Sequence, residues 1–389
     1  MLLIITIVFT AVLTTVGVYN VLSNGNGVQM VALSQEDSEI VKAITKFRKL
    51  VQDEYLGKVD EQELIDGAIK GYIEALGDPY SQYYTASEMQ EEMESVNGEY
   101  IGIGVYIGAN TQTKQVVMWP MTGSAAEQAG VKNGDILKKI NDIAYDANTM
   151  EEAVKIIKEG KEGEKIKLTV EREGKEVEIE VERKKVEIKH VAFNVLEDNI
   201  GYIQISSFEG NCVDEFEDAY AKLKEQNITS LVIDVRDNGG GVVDYAIDIA
   251  DLLLDKDVTV FKLSDKDGKE EEIKTSKTKK IDMPVVLLIN ENSASASEIL
   301  AGALQDHGRA TLVGAKTYGK GVMQTLHKLS DGTGIKLTTN EYCTPKGNKI
   351  NGQGIKPDTE VALPTAQKGE NTVSDTQLLK AVEILKTKN

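Results

Sequence analysis

Three serines stand two residues apart in the segment ENSASASEIL: Ser293, Ser295 and Ser297. An apolar run ends just before them at Asn290 and a helical pattern follows, so these serines lie where a strand gives way to a helix. The first amides of such a helix have no partner inside it, and they can hold the negative oxygen that forms when a serine attacks a carbonyl group. The chemistry indicated is acyl transfer through Ser295, with the N–H of Ala296 as one oxyanion donor. On the local sequence alone, three capping residues are the favoured interpretation, because helix starts favour serine.

The group that would activate Ser295 is harder to find, because the chain has only three histidines. His307 lies 12 residues further on, about 18 Å along a connecting helix, and His190 and His327 lie in strand-like segments without acidic neighbours. Lys320, in the segment TYGKGVMQT, is a better candidate. A lysine whose pKa is lowered by burial can serve as a general base, and serine–lysine pairs are an accepted variant of the catalytic triad.

Two further features favour this arrangement. Gln324 can orient the Lys320 amine, but residues four apart on a straight strand are about 13 Å apart, so the chain must bend, and Gly321 would allow the bend. The segment DVRDNGGGVVD has three consecutive glycines, whose amides can supply a second oxyanion donor. It lacks the G-x-G-x-x-G spacing of a dinucleotide site.

The elements that must position these residues follow residue 185. Four apolar runs have the length of strands: IGYIQISSF, SLVIDVR, PVVLLIN and ATLVG. The last three alternate with the helical stretches VVDYAIDIADLLL and ASEILAGALQDHG, which predicts a parallel sheet covered on both faces. Ligands bind beyond the carboxyl ends of strands in such sheets. The loops 236–241, 290–295 and 315–320 leave those ends and are predicted to meet at the active centre.

The preceding part of the chain predicts two further regions. Residues 98–183 contain short β-branched runs, a short helix at Ser124–Ala129, a helix in MEEAVKIIKEG and a hairpin that turns at Glu173 and Gly174, which indicates a small β-rich module. Upstream of it the pattern is helical, with an apolar stripe that includes Ile40 and Phe47. That helical pair is interpreted as a layer on a core or as a dimer arm.

The N-terminal segment Leu2–Leu22 has 21 residues without a charge. As a helix it would span about 30 Å, the thickness of a bilayer core. No Lys or Arg precedes Lys42 and no clear cleavage site follows, so a retained membrane anchor is predicted over a cleaved signal.

Composition limits the other functions. The net charge of −19 over 389 residues argues against nucleic acid as a partner. Cys212 and Cys343 form no disulfide framework and have no neighbours at metal-ligand spacing, so both are interpreted as small buried hydrophobic residues. We expect no metal and no cofactor.

Taken together, the chain resembles the carboxy-terminal processing, or tail-specific, proteases from about Ile40 to its end. The resemblance implies an α/β fold with a parallel-sheet peptidase core of the crotonase/Clp protease type, a PDZ domain and an N-terminal helical arm. The segments that carry it, in chain order, are LIDGAIKGYIEALGDPYSQYY, GIGV, GSAAEQAGVKNGDIL, DVRDNGGG, NENSASASEILAGALQD, TYGKGVMQ and TPKGNKINGQGIKPD.

The resemblance also assigns roles to residues. It implies that Ser295 is the nucleophile, Lys320 the base and Gln324 its supporting residue. The oxyanion donors of the family correspond to the amide of Ala296 and to one glycine of the NGGG segment, and the choice between the last two stays open: Gly240 or Gly241. The family usually has Asn-Pro-Gly-Gly where this chain has Asn-Gly-Gly-Gly.

The β-rich module resembles a PDZ domain. Its GIGV segment matches the carboxylate-binding loop, whose amides capture the terminal carboxylate of a peptide that adds to the sheet as a strand. The residues so implied are Gly102, Ile103, Gly104 and Val105.

The expected protein is a membrane-anchored serine endopeptidase outside the cytoplasm, which cleaves proteins with a free C-terminus near their tails. By family similarity, the N-terminal helices and the segment DTQLLKAVEIL would build a homodimer. A non-catalytic PDZ scaffold is the alternative; an acyl-CoA-type enzyme leaves the PDZ module and Lys320 unexplained. The predicted regions are an anchor at 1–24, a helical region at 34–95, the PDZ domain at 96–184, the protease core at 185–360 and a C-terminal tail at 361–389.

Overall fold

The computed structural model describes residues 21–24, 27–30, 35–110, 112–363 and 374–388. The chain divides between Tyr72 and Ile73 into two compact units. The predicted membrane anchor lies outside the described residues, apart from Val21 and Leu22, which begin a strand. Within the described ranges, no helix has the length and apolar character needed to cross a membrane.

The first unit contains a short hairpin and two helices. The apolar stripe predicted for the first helix does form, but Ile40, Ile44, Phe47 and Leu50 are 48%, 53%, 64% and 51% exposed. Among the described residues of the first unit, this stripe is therefore not part of a core. The elements are β1 (Val21–Asn24), β2 (Gly27–Met30), α1 (Gln35–Glu54) and α2 (Glu61–Glu74), the last of which crosses the division between the units.

The second unit opens with strand β3 (Gln82–Tyr84) and helix α3 (Ala86–Asn97). The helix begins with a capping box, in which Thr85 and Glu88 each accept a hydrogen bond from the other's backbone N–H. The region 34–95 was expected to be helical, and β3 corrects that expectation. The local sequence does not reveal this strand, because its pairing partner lies about 250 residues away.

The β-rich module is a six-stranded antiparallel sheet in the order β10-β9-β7-β6-β5, with β8 beside β7. Its last hairpin turns where predicted, since Glu173 and Gly174 both have positive φ, as a two-residue turn of this kind requires. The elements are β4 (Glu99–Gly102), β5 (Val105–Asn110), β6 (Gln115–Pro120), α4 (Ala125–Ala129), β7 (Asp135–Ile140), β8 (Ile143–Ala144), α5 (Met150–Lys158), β9 (Lys165–Arg172), β10 (Lys175–Glu182) and β11 (Lys184–Glu187).

The predicted parallel sheet is present in the remainder of the unit, in the order β12-β13-β14-β17-β18-β21. Only β12 runs antiparallel to its neighbour. The elements are β12 (Val191–Leu196), β13 (Ile200–Ile205), α6 (Cys212–Glu225), β14 (Ser230–Asp234), α7 (Val243–Leu253), β15 (Thr259–Asp265), β16 (Glu270–Lys274), β17 (Val285–Ile289), α8 (Ala296–Asp306), β18 (Ala310–Gly314), β19 (Val322–Lys328), β20 (Gly334–Cys343), β21 (Thr359–Glu360) and α9 (Thr376–Lys388).

Both faces of this sheet are covered, which explains why its central strands are apolar throughout. In β17, Val285 and Leu287 face a cluster with helices α6, α7 and α8, and Val286 and Leu288 face the opposite side. Helix α9 covers that opposite side with Ala381 and Leu385. The C-terminal tail was expected to be a dimerisation element, but its buried face packs on the sheet of its own chain.

A second sheet, which the sequence did not predict apart from one strand-like segment, flanks the parallel one. Its order is β16-β15-β20-β19, and β3 joins β20 at the edge. Strand β19 follows the loop that contains Lys320, so this sheet fixes the far end of that loop.

Replacement of Leu385 by Ala is expected to lower the free energy of unfolding by about 2–5 kcal/mol, because it opens a cavity between α9 and the sheet. Leu379→Ala is the matched control: Leu379 lies on the same helix and is 59% exposed, so its change should stay within about 0.5 kcal/mol. Urea unfolding followed by circular dichroism measures both. Equal midpoints for the two variants would show that α9 does not belong to the core.

Candidate active site

The three loops at the carboxyl ends of the parallel strands meet, as the sequence predicts. The N–H of Ala294 donates to the carbonyl oxygen of Asn238 at 3.1 Å, and the N–H of Tyr318 donates to that of Ser293 at 3.0 Å. Together these loops line a cleft of about 480 Å³, whose walls include Ser295, Lys320 and Gln324.

The environment distinguishes the three serines. The hydroxyl of Ser293 is buried and donates to the carbonyl oxygen of Val235 at 2.8 Å, while that of Ser297 is buried and donates to Asn238 at 2.9 Å. Both side chains therefore tie the serine loop to the glycine loop. Ser295 alone of the three lines the cleft.

Ser295 sits on a strained turn immediately before α8. Its φ of 56° and ψ of −116° lie in a region that non-glycine residues rarely adopt. The surroundings hold this conformation: its N–H donates to Glu298 Oε2 at 3.0 Å, and its carbonyl oxygen accepts from the N–H groups of Glu298 and Ile299. Strain of this kind clusters at sites of chemistry, where it fixes the direction of a side chain.

Glu298 connects this turn to the lysine loop. Its side chain is fully buried. Besides Ser295, it accepts hydrogen bonds from the Thr317 hydroxyl at 2.5 Å, the Gly319 N–H at 2.7 Å and the Lys320 N–H at 2.8 Å. One carboxylate thus fixes the backbone at both Ser295 and Lys320.

The Lys320 amine is half-buried and lies 4.6 Å from the centroid of the Tyr80 ring. Burial of the amine, and after it the positive charge of Lys336, lower the pKa of Lys320 below its usual value. Within the described part of the chain, no hydrogen bond joins this amine to Ser295. The arrangement therefore brings a base of the right kind into the cleft, with its amine turned toward Tyr80.

Gln324 also lines the cleft, but its Nε2 donates to Thr338 Oγ1 at 3.1 Å, and the predicted bond to the Lys320 amine is not formed in this structure. The bend in the chain near Lys320, which was expected at Gly321, also lies elsewhere. Gly319 has a φ of 94°, and a bulge in β19 lies between Met323 and Gln324. Gly321 is needed for another reason, since a Cβ there would come within 2.3 Å of the Asn351 nitrogen.

The glycine loop approaches the serine turn closely. A Cβ on Gly240 would lie 2.7 Å from Ser295 Cβ, and one on Gly241 would lie 2.4 Å from the Phe208 oxygen. The Gly240 N–H donates to Asn238 Oδ1 at 2.8 Å. Gly239 has open space around it, and its φ is not positive. The proline that the family usually has falls at this position, where an added Cβ would meet no atom within 4 Å.

Several supporting residues carried no local signal strong enough for prediction. Tyr342 is almost fully buried, donates to the carbonyl oxygen of Lys320 and faces Ser295. Arg236 binds Asp234 and also Asp375 at 2.8 Å, which attaches the glycine loop to the start of α9. Glu298 could have been found, because a glutamate three residues after a serine at a helix start is the capping-box pattern.

The three histidines lie away from this site's chemistry. His307 follows α8, with its Nε2 2.7 Å from the carbonyl oxygen of Thr259, while His190 is buried and His327 is exposed on β19. None of them lines the cleft that contains Ser295.

The segment predicted to bind a carboxylate joins β4 to β5. Ile103 is buried in the core of the module, and the carbonyl oxygens of Ile103 and Gly104 accept from the N–H groups of Ala126 and Met121. Gly102 ends β4 and Val105 begins β5. A cleft of about 710 Å³ lies beside β5, between α5 and α3.

Comparison with known proteins assigns the family. Residues 199–361 match the description "Peptidase family S41", residues 116–172 "PDZ domain" and residues 13–88 "Activating protease CtpB N-terminal domain". The chain is 35% identical over 360 residues to a protein of Staphylococcus haemolyticus (strain JCSC1435) named "Probable CtpA-like serine protease", covering 92% of this chain and 72% of that protein. It is 35% identical over 381 residues to the protein of the same name from Staphylococcus aureus (strain COL), covering 96% and 74%.

A solved structure from Bacteroides fragilis NCTC 9343, whose protein is assigned to the S41 proteases, matches with a TM-score of 0.53 and 17% identity. The match covers 86% of this chain and 92% of that one, and it concerns the fold alone. The mixed α/β peptidase fold with a PDZ domain is thereby confirmed. The chain belongs to peptidase family S41, the C-terminal processing proteases that it was found to resemble, and it is a serine-type protease.

Glu298→Gln is expected to abolish most peptide hydrolysis and to lower the free energy of unfolding by about 1–3 kcal/mol. All four of its hydrogen-bond partners are donors, so an amide NH₂ at one position leaves buried N–H groups unpaired. Glu291→Gln, an exposed change in the loop that precedes α8, is the control and should match the wild type. Peptide hydrolysis and urea unfolding measure the two effects; wild-type activity in Glu298→Gln would contradict the role given to this carboxylate.

Proposed function

We propose that the protein is an endopeptidase that cleaves other proteins at or near their C-terminal tails through an acyl-enzyme on Ser295. Lys320 is the general base, and Gln324 supports it. One observation carries the proposal: a serine on a strained turn and a lysine with a lowered pKa line the same cleft, and one buried carboxylate fixes both backbones.

The steps of the reaction follow from these positions. Ser295 Oγ attacks the peptide carbonyl carbon while its proton passes to the neutral Lys320 amine. The resulting ammonium gives that proton to the leaving amine, and an acyl-enzyme remains. A water molecule, deprotonated by the same amine, then attacks the ester and releases the new C-terminus, with Ser295 regaining its proton.

Two amides are placed to hold the oxyanion. The N–H of Ala296 belongs to the first turn of α8, where no carbonyl group of the helix is available to it. Of the two glycines, Gly241 is proposed as the second donor, because the Gly240 N–H already donates to Asn238. Gly241 also lines the cleft.

The Lys320 amine must rotate from the Tyr80 ring toward Ser295 before it can act. Gln324 can hold it there, because the Nε2 of Gln324 is used on Thr338 and its Oε1 is the acceptor suited to an ammonium or amine donor. Closure of the pair on substrate binding is consistent with catalytic hydrogen bonds that tighten only in the complex.

The PDZ domain is proposed to bind the substrate's C-terminus at residues Gly102–Val105, to deliver the adjoining chain to the cleft and to gate activity. The free β5 edge of its sheet suits the addition of a peptide strand. The bounds of the five regions predicted from the sequence are part of the same proposal.

Membrane attachment and a homodimer complete the proposal. The 21 uncharged residues at positions 2–22 support an anchor and, with it, a location outside the cytoplasm. The exposed stripe on α1, which includes Phe47, supports a helical arm that pairs with a second copy. Membrane fractionation and sedimentation of the detergent-solubilised protein measure these two properties directly.

Ser295→Ala and Lys320→Met are each expected to lower kcat by about 10⁴–10⁶-fold. Lys316→Met, an exposed change in the same loop, is the matched control. Because the base works as a neutral amine and its pKa is lowered, wild-type activity should rise through neutral pH and fall as Lys320 becomes protonated at acid pH. Mass spectrometry of the products from a tailed substrate, with its C-terminus free or amidated, gives both rate and cleavage site.

Full activity in Ser295→Ala or Lys320→Met would refute the mechanism. Equal cleavage of the free and amidated substrates would leave the dyad intact and refute the role given to the PDZ domain. Binding of the tail without any cleavage would indicate the non-catalytic scaffold instead.

A further inference from the structure

A second lysine, Lys336, lines the catalytic cleft together with Ser295 and Lys320. It lies in β20, between Leu326 of β19 on one side and Gln82 of β3 on the other. Its backbone is therefore fixed by strands on both sides, and its side chain enters the cleft from the second sheet.

The Lys336 ammonium has its own partners. Its Nζ lies 2.9 Å from Glu92 Oε1, with 29% and 28% of the two side chains exposed. It also lies 5.3 Å from the centroid of the Tyr84 ring. The ion pair spans from α3 to β20, so it stands at the wall of the cleft rather than on the open surface.

The surroundings shift the pKa values of the two lysines in opposite directions. Burial acts to lower the pKa of Lys336, but hydrogen bonds and charge from Tyr84 and Glu92 outweigh it and raise that pKa. Among the described residues, no carboxylate forms an ion pair with the Lys320 amine, and burial together with the charge of Lys336 lowers its pKa. Pairs of titratable groups whose environments separate their pKa values are typical of acid–base sites.

Other charged groups act to raise the pKa of Lys320. Asp78 and Glu298 both favour its protonated form. Glu209 and Asp244 also line the cleft. Against these carboxylates, burial of the Lys320 amine is the main effect that favours its neutral form, and the positive charge of Lys336, which lines the same cleft, adds to it.

We propose that Lys336 is a positioning residue for the general base: its ammonium, held in the cleft by Glu92, keeps the Lys320 amine neutral and ready to accept a proton. Glu92 sets the strength of this effect, because it partly neutralises the charge that Lys320 experiences. The inference rests on the proposed function, since it concerns the base of that reaction.

The test measures the protonation of Lys320 directly. In the Ser295→Ala background, which prevents self-cleavage, trace acetic anhydride acylates neutral amines at each pH, and mass spectrometry follows the peptide that contains Lys320. Lys336→Met should move the half-labelling pH of Lys320 upward and Glu92→Gln should move it downward. Lys336→Arg, which keeps the charge, should restore the midpoint, and Lys328→Met, an exposed lysine on β19, should leave it unchanged.

Hydrolysis by the enzyme with Ser295 intact gives a second readout. In Lys336→Met, kcat/KM at pH 7 should fall about three- to tenfold, because a tenfold change in the neutral fraction accompanies one unit of pKa, and it should recover at alkaline pH. A loss of equal size at every pH, or one Lys320 midpoint shared by Lys336→Met and Glu92→Gln, would overturn the proposal. Failure of the proposed function gives a different result, namely cleavage activity that survives Ser295→Ala.

Discussion

The buried carboxylate of Glu298 is the interaction on which the site depends. A charged side chain excluded from water is destabilising unless its oxygen atoms are fully hydrogen-bonded. Here four donors from two loops surround it, one from the serine turn and three from the segment that ends at Lys320. The same bonds stabilise the positive φ of Ser295, which on its own would be unfavourable by about 1–3 kcal/mol. Burial of this one carboxylate therefore holds the Ser295 turn and the Lys320 loop together.

The remaining contacts hold these two loops in turn. Thr317, a donor to Glu298, accepts from the N–H of Ile355 at 2.7 Å, and Gly354 approaches the Thr317 carbonyl so closely that a Cβ would lie 2.4 Å from it. On the other side, Asp237 exchanges hydrogen bonds with Asn290, and its Oδ1 also accepts one from Asn292 Nδ2. The catalytic edge is thus supported from the C-terminal part of the chain as well as from the strands below it.

The local sequence patterns predicted those features that depend on residues close together in the chain. The apolar runs at β14, β17 and β18 indicated parallel strands covered on both faces, and the strand-to-helix junction made Ser295 a candidate nucleophile. What the sequence missed depends on contacts between distant residues: β3 pairs with β20, Glu298 binds the lysine loop, and α9 covers the sheet. The orientation of the Gln324 amide could not be predicted from the sequence either, because it depends on the bulge in β19 and on Thr338 in the next strand.

Helix α3 contributes residues to both clefts described above, the one at Ser295 and the one beside β5. Glu92 and Val96 face the catalytic cleft, while Gln90, Glu91 and Glu94 face the one beside the PDZ sheet. Because α3 contributes residues to the walls of both, a ligand in one cleft that displaced the helix would also change the shape of the other. Thermodynamic linkage makes such an effect reciprocal. If a bound peptide tail changes the affinity of the Ser295 cleft for an inhibitor by some factor, the bound inhibitor changes the affinity for the tail by the same factor.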